Sequence, residues 1–156
     1  MPPSLATVAQ YFRIGIEAGI CDVDEAREWA LAMIGIIDEP PGEIIEVSWR
    51  KPRAQTIEDL NAVQGEIDFV RAAGWLFATL REMLPVSNDR LRRATQQAMQ
   101  VARCAGLNED VYDDFDRIDD MLSLAESNTY GSVDDCREAF DEAVKTYRLP
   151  NFDACT

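Results

Sequence analysis

NEDVYDDFDRIDDMLSLA, residues 108–125, carries apolar side chains at Val111, Phe115, Ile118, Leu122 and Ala125, a spacing that alternates four and three. That period puts all five on one side of an α-helix and fits no strand, whose side chains would alternate every second residue. Asn108 is a good N-cap for it. At about 100° per residue, Glu109, Asp113, Asp116 and Asp120 fall together on the side opposite Phe115 and Leu122. One segment therefore predicts both a helical fold and a face of one charge.

Working outward, the same period recurs along the chain. Ser4 caps a helix over about 5–18 bearing Leu5, Val8, Ala9, Phe12 and Ile16, with Gly19 as its terminator. Asp22 and Glu25 form a capping pair for a second helix, striped by Ala26, Trp29, Ala30, Met33 and Ile37 and ending near Asp38. Residues 43–49 read as a short helix or as a half-buried strand; the helix is preferred, because no second strand is evident to satisfy its backbone. After a basic connection from Arg50 to Gln55, Thr56 with Asp59 caps a helix carrying Ile57, Leu60 and Val63, which Gly65 ends or bends.

Glu66 to Leu84 has the broadest apolar stripe, with Phe69, Val70, Ala73, Leu76, Phe77, Leu80, Met83 and Leu84, and is expected to be the central core helix, closed by Pro85. Ser87 or Asn88 starts the next, with Leu91, Ala94, Ala98, Val101, Ala102 and Ala105 inward and Gly106 as its cap. Ser132 with Asp135 caps a last helix bearing Cys136, Ala139, Phe140, Ala143, Val144 and Tyr147, stopped by Pro150. The expected fold is all-α, an irregular bundle or helical-hairpin array of six to seven helices. Residues 1–156 are expected to form a single all-helical domain, with 149–156 a flexible tail.

Charge narrows the function classes. The chain has 156 residues, of which 29 are Asp or Glu and 15 Lys or Arg, a formal net charge of −14. Residues 108–142 hold 13 of the acids against only Arg117 and Arg137, so the charge is concentrated there. Such a field repels nucleic-acid backbones and anionic membranes and favours a basic or neutral protein partner. A homo-oligomer is compatible with the sequence. Histidine is absent, which removes Ser-His-Asp and Cys-His catalysis and His-ligated zinc. The run from Asp113 to Asp120 lacks the glycine and the terminal glutamate of an EF-hand loop. Cys21, Cys104, Cys136 and Cys155 stand singly and read as reduced thiols. No leader pattern occurs in Met1 to Thr7, and no apolar run approaches the ~20 residues of a membrane span, so the expected location is cytoplasmic.

Three features are candidates for function. The face formed by Glu109, Asp113, Asp116 and Asp120 is either a solvated outer surface or a landing surface for a basic partner. Trp75 projects away from the main stripe of its own helix, toward the side of Asp68, Arg71 and Glu82, and is either covered by a neighbouring helix or an interface anchor. Trp29 and Trp49 read as core or core-edge residues. Arg90, Arg92, Arg93 and Arg103 make the preceding helix basic, for internal pairing with the acidic helix or for a phosphate.

Glu25-x-x-Glu28 is followed by Glu43-x-x-Glu46 on the next predicted helix. Four carboxylates from a helix pair are hard oxygen ligands suited to Mg²⁺. This arrangement resembles the all-α nucleoside triphosphate pyrophosphohydrolases of the MazG and dimeric dUTPase type, which use Glu-x-x-Glu followed by Glu-x-x-Asp. Glu46 stands where those families have Asp. The resemblance implies a magnesium site at Glu25, Glu28, Glu43 and Glu46 and pyrophosphate release from a nucleotide. The leading expectation remains a non-enzymatic acidic binding domain of adaptor, inhibitor or immunity type, with no catalytic residue and no cofactor; the alternative is the Mg²⁺-dependent hydrolase.

Overall fold

A computed structural model of the chain describes residues 2–83 and 87–148; the expected stops at Pro85 and Pro150 and the tail from residue 149 lie outside them. Ser4, Asp22, Ser87, Asn108 and Ser132 each accept a backbone N–H from the first turn of the helix that follows, satisfying a donor that the helix itself leaves open. The helices are α1 (Leu5–Ala18), α2 (Val23–Ile36), α3 (Gly42–Val47), α4 (Arg53–Asn61), α5 (Phe69–Glu82), α6 (Asn88–Cys104), α7 (Glu109–Glu126) and α8 (Val133–Tyr147). Among the described residues there is no strand, and no helix is long and apolar enough to cross a membrane. The all-helical class is therefore shown, with eight helices among the described residues rather than six or seven.

The count is higher because the ambiguous segment is a helix, α3, and not a strand, and because α4 and α5 are divided by a loop rather than a bend. That loop is pinned to α1: the Ser4 hydroxyl donates to the Glu66 carbonyl, and the Asp68 N–H donates to Thr7 Oγ1 at 3.0 Å. Asp68 in turn caps α5 by accepting the Arg71 N–H at 3.0 Å, so α5 starts at Phe69 and not at Glu66. α4 also begins earlier than its expected cap at Thr56. Pro52 precedes the helix, and the buried Thr56 hydroxyl bonds back to the Pro52 carbonyl instead of capping forward.

The chain divides into two compact units within α5, between Ala72 and Ala73. In the first, α1 packs on α2 and α4, and α3 packs on both α2 and α4. Phe12 meets Trp29 with ring centroids 5.4 Å apart, and Ile44, Val47 and Leu60 are buried. Gln10, also buried, is satisfied: it donates to Asn61 at 2.9 Å and accepts from Arg13 at 2.6 Å. Gly19 ends α1 in the left-handed region at φ 77°, the conformation that favours glycine.

In the second unit α6, α7 and α8 pack against one another. Buried Phe115 of α7 sits between aromatic rings, with centroids 5.4 Å from Phe77 of α5 and 5.9 Å from Phe140 of α8. Leu91, Ala98 and Val101 of α6 and Ile118 and Leu122 of α7 complete the core as their spacing requires. The buried stripe of α8 is narrower than expected: Cys136, Phe140 and Val144 are buried, whereas Ala139 and Ala143 lie at the edge.

Candidate functional site

The acidic helix α7 has two kinds of carboxylate. Asp114, Asp119 and Glu126, on its flanks, are matched by the protein itself. Arg92 of α6 reaches Asp119 at 3.3 Å and Glu126 at 2.9 Å, bridging two turns of α7. Asp114 accepts the Tyr147 hydroxyl from α8 and the Arg117 guanidinium at 3.1 Å. That hydrogen bond to Asp114, with burial, pushes the Tyr147 hydroxyl up to about 12. On α8, Asp141 accepts from Arg81 of α5 at 2.9 Å, and the Arg81 hydrogen bond holds its carboxyl below the usual range.

The candidate residues behave differently. Glu109, Asp113 and Asp120 are exposed and Asp116 is half-buried. Among the described residues none of the four side chains makes a hydrogen bond or an ion pair, so the helix presents a row of uncompensated charge. Helix geometry explains the division. Asp114, Asp119 and Glu126 sit at the borders of the apolar stripe, within reach of neighbouring helices, while the row lies behind it. Among the described residues, the internal pairing expected of the basic helix is present for Arg92 alone of its four arginines. Arg103 instead lies over the Tyr112 ring at 5.0 Å and donates to its hydroxyl at 2.8 Å.

Beside the row runs a groove that sequence reasoning missed. Asp114, Arg117, Ile118 and Met121 of α7 and Ala139, Glu142, Ala143 and Thr146 of α8 line a cavity of about 250 Å³. The signal was the pair of alanines, placed in the core by their spacing. Their small side chains leave the space between the two helices unfilled.

Trp75 takes the covered position: it is only 7% exposed and offers no surface to a partner. The exposed tryptophan is Trp49, read as core or core-edge from the sequence but 56% exposed, with the Lys51 ammonium 5.5 Å from its ring centroid.

The four glutamates of the alternative reading do not converge. Glu25 closes the capping box of α2, and burial against its neighbours raises its carboxyl. Glu28, on the same helix, is exposed. Glu43 and Glu46 face a separate cleft of about 380 Å³ with Gly42, Asp59 and Ala62, and Lys51 bridges Glu46 and Asp59, the latter at 2.7 Å. A lysine ammonium thus occupies the place a cation would take. Among the described residues no group of three or more His, Cys, Asp or Glu side chains is placed to hold a metal ion, so these four carboxylates are not gathered into the one centre that the resemblance implies. Cys21 and Cys136 form no disulfide, and burial pushes the Cys21 thiol up to about 12, which leaves it a poor nucleophile.

Comparison of the chain with protein-family models, with curated proteins and with solved structures gives no match.

Proposed function

We propose that this protein is a non-enzymatic acidic binding module, of adaptor, inhibitor or immunity type, whose α7 face engages a basic protein partner. The observation that carries this reading is the contrast along one helix. Asp114, Asp119 and Glu126 are tied to internal donors, while Glu109, Asp113, Asp116 and Asp120 have none among the described residues. An unmatched row of like charge raises the association rate of a cationic partner and selects its sign. It needs no cofactor, and its partner is neither a nucleic acid nor an anionic membrane, which the same charge repels.

The test is charge reversal with the fold monitored separately. The triple variant Asp113→Lys, Asp116→Lys, Asp120→Lys should keep its far-ultraviolet circular dichroism and lose capture of a basic partner at physiological salt. In the wild-type complex, cross-links should map to α7. Undiminished capture by the triple variant overturns the proposal.

A further inference from the structure

We infer that the groove between α7 and α8 is the anchoring slot for a cationic amphipathic helix of the partner. This inference rests on the acidic face being a landing surface and adds the shape of what lands there.

The slot's size argues against a small-molecule ligand. Its volume of about 250 Å³ lies below the roughly 300–1,000 Å³ typical of small-molecule sites and suits a short row of aliphatic side chains. Its floor is apolar, from Ile118, Met121, Ala139 and Ala143. Along each wall the lining residues span Asp114 to Met121 and Ala139 to Thr146, which at a helical rise makes a slot about 10 Å long. Two turns of a third helix laid over the pair match that length, presenting side chains at i, i+4 and i+7. A peptide docking by strand addition would need a sheet edge to pair with, and no strand exists among the described residues.

Charge fixes the chemistry of the rest of that helix. On the α7 side Asp113 and Asp120 each lie one turn from the lining residue Arg117; on the α8 side Glu142 lines the slot, with Asp135 and Glu138 one turn before lining residues. Asp113, Asp120, Asp135, Glu138 and Glu142 are all exposed. The cations on this surface are already engaged, Arg117 with Asp114 at 3.1 Å and Lys145 with Asp141 at 3.2 Å. An apolar slot with acidic side chains on its α8 rim and, beyond Arg117, on the α7 face is complementary to an apolar row flanked by Lys and Arg. The buried row then supplies the anchor and the flanks supply steering.

The experiment uses the full chain and two fluorescein-labelled helical peptides of about fifteen residues. One carries Leu at i, i+4 and i+7 among Lys and Arg; in the other the three Leu are Gln. Fluorescence anisotropy should give at least tenfold tighter binding of the Leu peptide. Ala143→Phe, which fills the slot from within, and Thr146→Trp, which covers it from an exposed position, should each reduce the Leu peptide to the affinity of the Gln peptide. Thr146→Trp keeps the test decisive if Ala143→Phe does not fold. Equal affinities for both peptides, with both lost in the Asp113→Lys, Asp116→Lys, Asp120→Lys variant, overturn the slot and leave the acidic face standing. No binding of either peptide overturns the slot as well, and the capture experiment judges the face independently. A sedimenting dimer that Thr146→Trp dissociates would make the occupant a second copy of this chain and also overturn the inference.

Discussion

Replacing Asp113, Asp116 and Asp120 together by Asn should make the protein slightly more stable, not less. The Glu109–Asp113, Asp113–Asp116 and Asp116–Asp120 pairs are three or four residues apart, which places like charges about 6 Å from one another. In water, two such charges repel by about 0.7 kcal/mol, and screening at physiological salt cuts this to about 0.3 kcal/mol. Three pairs then amount to about 1 kcal/mol. Arg117 lies one turn from both Asp113 and Asp120 and offsets part of this, but its guanidinium is held by Asp114. A net gain of about 0.5 kcal/mol remains, or an increase of about 1–2 °C in Tm for a chain of this size. Asp and Asn have similar helix propensity, and none of the three positions lies in the first turn, where the helix dipole would reward the charge. Thermal melts at low and at physiological salt are the assay, and the gain should be larger at low salt. A fall in Tm would refute the reasoning, because it would mean that the three carboxylates have structural partners and are not held out for a visitor.

Arg92→Met should cost about 1 kcal/mol in chemical denaturation, since it strips Asp119 and Glu126 of their shared, partly exposed partner; an unchanged midpoint would refute the bridge. Phe115→Ala should cost about 3–5 kcal/mol, as the centre of the second unit is emptied, and a loss under about 1 kcal/mol would contradict the packing. Tyr147 titrates at about 12 when folded against an ordinary 10.0, so its contribution is intact below pH 10 and fades as pH rises from there toward 12. Stability of wild type relative to Tyr147→Phe should fall across that window, and parallel curves would remove the Asp114 hydrogen bond from the account. At pH 8 the native Cys21 should resist iodoacetamide, as read by peptide mass spectrometry, and become alkylated only on unfolding.

The features legible in the sequence are those written locally. Ser4, Asp22, Ser87, Asn108 and Ser132 cap the helices they precede because cap and donor are only two or three residues apart. The α7 stripe and its acidic back follow from period alone. What failed depends on distant partners. Nothing near Glu66 reveals that its carbonyl will accept from Ser4, so the start of α5 was misplaced. The hydroxyl of Thr56 had two local choices, and burial of that side chain selected the backward one. Trp75 lies off its helix's main stripe and is nonetheless covered, because angular position on one helix does not say how many neighbours enclose it. The sequence shows 13 acids in residues 108–142 but not which are matched; that follows from where α6 and α8 deliver Arg92 and Tyr147.

A shortage of cations is not the whole reason for the unmatched row. Arg90 and Arg93 of α6 are exposed and make no ion pair among the described residues, while one helix away Asp113 and Asp120 are equally exposed and equally unpaired. Arg92, between them in sequence, does cross to α7. Both helices thus keep unpaired charge on the second unit, basic on α6 and acidic on α7. Separation of this kind orients an approaching cation as well as attracting it, and its strength falls with salt over a Debye length of about 8 Å. The groove between α7 and α8 acts at a later stage, once water is excluded from Met121, Ala139 and Ala143. Salt and the α7 carboxylates should therefore govern how fast a partner arrives, and the filling of the slot how slowly it leaves.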